Sequence, residues 1–245
     1  MGEVHLILFT RAPAARQTKT RLATALGDET AKNLHVACLL DLIDSCERFR
    51  NGLEAEVQLH LFITPTGSEA VFDREGVRWG AHVQVHGQRG KDLGERMSNA
   101  FAEVLREEKE SPPALLIGAD LPLLDERHLH QALQALAAPS AADVVFGGTD
   151  DGGYYLVGMR GFIPETFRLK RWKEGEVLKD SLALGAARGF SMALIDTLPD
   201  VDTAEDLALV RAHCLFAEMV DSGNSAAGPE RRAVRLIAEL PESSL

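Results

Sequence analysis

Cysteine is scarce in this sequence: three residues in 245, Cys38, Cys46 and Cys214, with no C-x-x-C spacing. That excludes a disulfide scaffold and a cysteine zinc ribbon. Cys38 and Cys46 fall on one expected helix, where a bridge would staple nothing, so reduced thiols acting as apolar filler in a cytoplasmic protein are expected. No run approaches the ~18 consecutive apolar residues of a membrane span. MGEVHLILFT at the N-terminus lacks a basic flank and a small-residue cleavage site, and reads as a first strand rather than a signal peptide. The G-x-S-x-G, G-x-G-x-x-G and G-x-x-x-x-G-K-[ST] signatures are all missing. A nucleophile elbow, a dinucleotide fingerprint and a P-loop therefore drop out. The histidines offer no zinc set either. His82 and His86 on one strand face stand about 13 Å apart, and His128 and His130 point to opposite sides of a helix.

The formal charge of −11 argues against nucleic acid as a partner, whose usual footprint is a basic face. The charge is nonetheless uneven. TRAPAARQTKTR (10–21) carries Arg11, Arg16, Lys19 and Arg21 and no acid. A one-signed cationic stretch in an acidic chain suits a small anionic ligand; a solvated surface run is the plain alternative.

Two periodicities alternate along the chain. Short β-branched or aromatic runs at 4–10, 57–64, 82–87, 114–120, 143–148, 154–159 and 190–196 read as strands. Helical spacing covers 28–49, 68–75, 93–108, 125–137, 176–188 and 203–219, with Thr203 and Asp206 spaced as a helix cap. The expected fold is α/β, a mostly parallel mixed sheet with helices on both faces. The short link between 143–148 and 154–159 cannot make a parallel crossover, so one of the two runs antiparallel or lies in a side ribbon. Residues 1–220 read as one domain; 221–245 read as a linker (221–230), a short docked helix and a frayed PESSL end.

Ligands of open α/β sheets sit beyond the carboxyl ends of the strands. Four loops reach there: the basic stretch ending KTRLA, ADLP, GGTDDGGYY and DTLPDVDTAEDL. Lys19 and Arg21 could neutralise a diphosphate, or Arg21 could merely pair with an acid. Asp120, closing the apolar run LLIGAD and followed by Pro122, could hold a divalent ion, or make an Asx turn. The Asp200 and Asp202 pair on the same edge favours the metal. Asp151 with Gly152, Gly153, Tyr154 and Tyr155 could face substrate, or form a tight turn over core tyrosines.

FTRAPAARQTKTRLA, KDLGERM, GADLP, DGGYYLVGM and DVDTAEDL, in that order across roughly residues 4–212, resemble a bacterial glycosyltransferase-like family, labelled transferase 1, with the Rossmann-like GT-A (nucleotide-diphospho-sugar transferase) fold. The resemblance implies a metal-dependent transferase using a nucleotide-diphosphate sugar. Arg11, Lys19, Thr20 and Arg21 would face the nucleotide phosphates, and Gly152, Gly153 and Tyr154 the transferred group or acceptor. Magnesium or manganese would sit on Asp120 and Asp202, with Asp200 beside them; Lys19, Arg21 and Asp151 would be catalytic and Asp206 structural. Rival readings are a nucleotidylyltransferase of the phospholactate-guanylyltransferase type and a non-catalytic nucleotide-binding module. The chain departs from the pattern at Ala15-Arg16 (Pro-Gly in the family), at Gly148 (proline), at Trp172-Lys173-Glu174 (W-S-T), and at Gly118, where many GT-A enzymes carry the first acid of D-x-D.

Overall fold

The structure, a computed structural model, describes residues 2–105, 112–137, 141–169, 172, 175–221 and 231–241. Seven strands form one sheet: β1 Glu3–Arg11, β2 Glu56–Thr64, β3 Val83–Gly87, β4 Pro113–Gly118, β5 Val144–Thr149, β6 Tyr154–Arg160 and β7 Met192–Leu198. The helices are α1 Thr20–Leu26, α2 Asp28–Gly52, α3 Glu69–Arg74, α4 Leu93–Val104, α5 Glu126–Ala137, α6 Val177–Arg188, α7 Ala204–Asp221 and α8 Arg232–Glu239. The spatial order is β3-β2-β1-β4-β6-β5-β7, and only β6 runs against its neighbours. The four residues between β5 and β6 leave no length for a crossover, so an antiparallel return is forced.

β1 shows why the sequence takes this form. Its alternate side chains part to the two faces of the sheet. Leu6 and Leu8 join the larger core with Leu39 and Leu42 of α2 and Leu129 and Leu133 of α5. Ile7 and Phe9 join the opposite core with Met97 and Phe101 of α4 and with Phe167. A strand covered on both sides favours apolar residues on both faces, which accounts for the unbroken LILF run at 6–9. Burying each such side chain contributes roughly 1.5–3 kcal/mol.

Two features differ from the sequence expectation. Residues 20–26, read as loop, form α1, and Pro164–Phe167 form a 3-10 turn. The expected docked helix is α8. Both carboxylate oxygens of Asp41 accept backbone N–H groups at its start, from Arg232 (3.1 Å) and Ala233 (2.9 Å), while Ala233 and Ile237 bury against Leu22, Leu34 and Cys38. Of the expected linker at 221–230, Asp221 ends α7 instead, and 222–230 lie outside the described residues, as do all but the first residue of PESSL. All three cysteines are buried as thiols. No helix among the described residues is long and apolar enough to cross a membrane.

Histidine does more than its spacing suggested. His82 lies outside β3, while His5, His60 and His86 share one face of β1, β2 and β3. His5 Nδ1 lies 3.1 Å from His60 Nε2, His60 Nδ1 3.3 Å from His86 Nε2, and His86 Nδ1 2.8 Å from Glu103 Oε1 of α4. His60 is 5% exposed. Burial, then its two histidine neighbours, push its pKa down to about 3. A histidine whose folded pKa is lowered favours the neutral form. Its contribution is present above the ordinary pKa near 6.5 and is lost as pH falls toward 3. Urea unfolding between pH 7 and 4 is therefore expected to show stability falling by up to ~1.4 kcal/mol per pH unit from this group. In His60→Gln that component should vanish; an unchanged slope would rule it out.

Candidate functional site

β1 connects to β2 on one side and lies against β4 on the other, so the strand order reverses between β1 and β4. Loops leaving neighbouring strands in opposite directions open a crevice at such a point. A cleft of ≈ 510 Å³ lies there, lined by the basic loop after β1, by His35 of α2, by Asp120 after β4 and by Asp202 after β7.

The basic loop is held by its own backbone and by Thr18, whose buried hydroxyl donates to Ala12 O at 3.1 Å. Lys19 heads α1 in the left-handed conformation, φ 48° and ψ 49°. For a residue with a Cβ that costs roughly 1–2 kcal/mol. The Lys19 side chain is only 2% exposed, and its ammonium meets oxygens from two other loops. Nζ lies 2.8 Å from Asp120 Oδ1, 2.6 Å from Val201 O and 3.6 Å from Asp202 Oδ1. Burial favours the neutral amine, but Asp120 and Asp202 outweigh it and raise the lysine pKa above its ordinary value. For Asp120 burial opposes ionisation, and the Lys19 charge with the His35 contact overrides it, lowering the carboxyl well below the usual range.

The remaining expected residues fall in two groups. Arg21 Nη2 donates to Asp202 Oδ2 at 2.8 Å, so the ion pair weighed as its plain alternative is present, within the cleft lining. Arg11 and Thr20 line the same cleft. Asp200 follows β7 beside Asp202; burial, then Asp151, Asp202 and Asp206, raise its pKa to about 7. Asp206 is structural: its carboxylate accepts from Asp202 N and Thr203 N, while Thr203 Oγ1 accepts from Asp206 N.

The DGGYY loop forms the tight turn weighed as its plain alternative rather than a substrate-facing loop. Asp151 Oδ1 accepts from Thr149 Oγ1 and from Gly153 N (2.8 Å), making an Asx-type turn. Gly152 has φ 83°, and a Cβ there would stand 2.5 Å from Gly175 O, so the close approach expected of a ligand comes from the chain itself. Gly153 is the other end of that turn, its carbonyl accepting from Thr149 N. Tyr154, expected to face substrate, packs against Phe146, with its hydroxyl near Met97 Sδ. Strand alternation sends it into the core between the sheet and α4. Tyr155, on the other face, donates to Asp196 O at 2.9 Å.

Two partners escaped the sequence reading. His35, buried on α2, places Nδ1 3.1 Å from Asp120 Oδ1 and Nε2 3.0 Å from Arg11 O. A histidine on the apolar stripe of a helix was its only signal. Val201 acts through its carbonyl, which no side-chain pattern announces. As a metal set, Asp120 and Asp202 fit a shared ion poorly: both present Oδ1 to the Lys19 ammonium. Among the described residues no three His, Cys, Asp or Glu side chains are arranged to hold a metal.

Removing one partner of a buried ion pair strands the other. Asp120→Asn is expected to lower unfolding free energy by about 1–3 kcal/mol, less than the ~3–5 kcal/mol of a fully buried pair because the Asp120 side chain is 48% exposed. Arg21→Ala, at a half-exposed pair, should cost under about 1 kcal/mol. Equal losses in urea titrations would show that Lys19 does not depend on Asp120.

Comparison with known proteins agrees with this architecture. A candidate nucleotide-diphospho-sugar transferase from Desulfovibrio desulfuricans G20 is 24% identical, with 97% of this chain and 94% of that one covered at a TM-score of 0.76. The 4-diphosphocytidyl-2C-methyl-D-erythritol synthase of Anaerococcus prevotii DSM 20548 is 11% identical, with 87% and 99% covered at 0.54. A CMP:2-keto-3-deoxy-manno-octonic acid synthetase bound to CTP is 13% identical, with 89% and 100% covered at 0.51. No curated protein matches the chain. The bacterial family described as "Uncharacterized protein conserved in bacteria (DUF2064)" matches residues 50–174, half of the chain, and the chain belongs to that family.

Proposed function

We propose that the chain is a cytoplasmic transferase that binds the phosphates of a nucleotide donor, a nucleotide-diphosphate sugar in the first instance, in the cleft between β1 and β4. One observation carries the reading: Arg11, Lys19 and Arg21, from the segment that runs from the end of β1 into the start of α1, line the crevice where the strand order reverses. Fixed cations aimed at a diphosphate stabilise the charge that grows on it as it leaves, with no reorganisation at the moment of reaction. Arg21 supplies a planar fork and Lys19 a point charge. Asp151, with Oδ1 committed to its own turn, would orient an acceptor hydroxyl through its other oxygen. The neighbours named for nucleotide-diphospho-sugars and for CTP support a nucleotide as ligand.

Magnesium or manganese is proposed only as a companion of the donor phosphates, because Lys19 stands where an ion shared by Asp120 and Asp202 would sit. A second reading, nucleotidyl transfer with release of pyrophosphate, draws on the Arg16 side chain as a fourth cation in the cleft, which suits a triphosphate.

A thermal-unfolding panel tests both. Nucleoside triphosphates, nucleoside diphosphates and their sugars are each added with magnesium, manganese or chelator. A ligand at a hundred times its dissociation constant adds ~2.7 kcal/mol of stability. Stabilisation by nucleotides that weakens in Arg11→Ala and Arg21→Ala is expected. Release of nucleoside diphosphate from a sugar nucleotide identifies sugar transfer, and pyrophosphate from a triphosphate the second reading. Binding without turnover identifies a nucleotide-binding module. If no nucleotide stabilises the protein, the proposal fails.

A further inference from the structure

We propose that Lys19 is the site's built-in counter-cation: its ammonium occupies the position between Asp120 and Asp202 and keeps Asp120 from serving as a metal ligand. Its role toward donor phosphates rests on the nucleotide reading above; its hold on the two aspartates rests on geometry alone.

Five observations converge on it. The oxygens around Nζ, at 2.6, 2.8 and 3.6 Å, are spaced for ammonium hydrogen bonds. Magnesium demands oxygens at about 2.0–2.1 Å in near-octahedral array. The lysine stem is buried, and its left-handed backbone marks a conformation imposed by its surroundings rather than a surface side chain at rest. Asp120 is pinned from the other side: His35 contacts the same Oδ1 that Lys19 uses and is itself anchored by Arg11 O. The charges already balance, since Asp120 faces Lys19 and Asp202 faces both Lys19 and Arg21. A divalent ion placed between the carboxylates would meet an ammonium at contact range and repel it. The ammonium also links the loops following β1, β4 and β7, so displacing it would untie three walls of the cleft.

Manganese alone, titrated into the full-length protein and followed by the loss of the free-ion electron paramagnetic resonance signal, decides the matter. Wild type and Asp120→Asn are expected to bind the ion alike, whether weakly or at other carboxylates. Lys19→Met, which keeps most of the stem and removes the charge, should bind manganese at least about tenfold more tightly than wild type. That gain should disappear in Lys19→Met combined with Asp120→Asn. One ion per wild-type chain whose affinity drops tenfold or more in Asp120→Asn would overturn the proposal. So would a folded Lys19→Met with no gain. Should Lys19→Met fail to fold, the comparison of wild type with Asp120→Asn still separates the two outcomes. Neither measurement uses a nucleotide, so failure here and failure of the transferase reading are separately visible.

Discussion

A single ammonium joins the loops from which the cleft is built. Lys19 comes from the loop after β1, Asp120 from the end of β4, and Val201 and Asp202 from the segment after β7. A charge can be this deeply buried only where opposite charge and carbonyl oxygen replace the lost water. The ion pair therefore ties the loops to one another at the base of the cleft, as the apolar cores hold the sheet. The cleft around it presents Arg11 to solvent, while Lys19 and Arg21 neutralise Asp120 and Asp202 at its base.

The sheet supplies the geometry that makes this possible. Parallel neighbours on both sides of β1 require apolar residues on both faces, and those residues fix β1 and β4 side by side with register from His5–Ala114 to Phe9–Gly118. Their carboxyl ends are thus adjacent whatever the loops do. The loops contribute the polar chemistry, and the left-handed turn at Lys19 aims the lysine back under the crevice.

Much of this was readable in the sequence, for physical reasons that can be named. Both-face burial wrote the middles of β1 and β4 as unbroken apolar runs, and the short connection after Thr149 announced that one of the two strands it joins runs antiparallel or lies in a side ribbon; it is β6 that turns. The cationic loop and the strand-end Asp120 were visible because they interrupt those patterns. What stayed hidden depends on distance through space. Nothing in KTRL says that Lys19 turns inward while Arg21 reaches Asp202. His35 is one more residue on a buried helix face with nothing local to single it out, and Val201 contributes a backbone atom. Tyr154 misled because adjacent tyrosines after a glycine pair resemble a ligand floor. Alternation along β6 sends the two rings to opposite faces, and Tyr154 goes to the core. The three histidines of β1, β2 and β3 meet by diagonal register across strands far apart in sequence.

The C-terminal helix α8 has a consequence for how the chain is made. It is capped by Asp41, 191 residues earlier in the chain, and covers apolar side chains of α1 and α2, Leu22, Leu34 and Cys38 among them. At ribosomal rates of about 5–20 residues per second, that separation is roughly 10–40 s of synthesis. Through that interval the helix that begins after Lys19 lacks its outer cover, leaving a sticky patch on the nascent chain. Docking of α8 is thus a late event in biosynthesis.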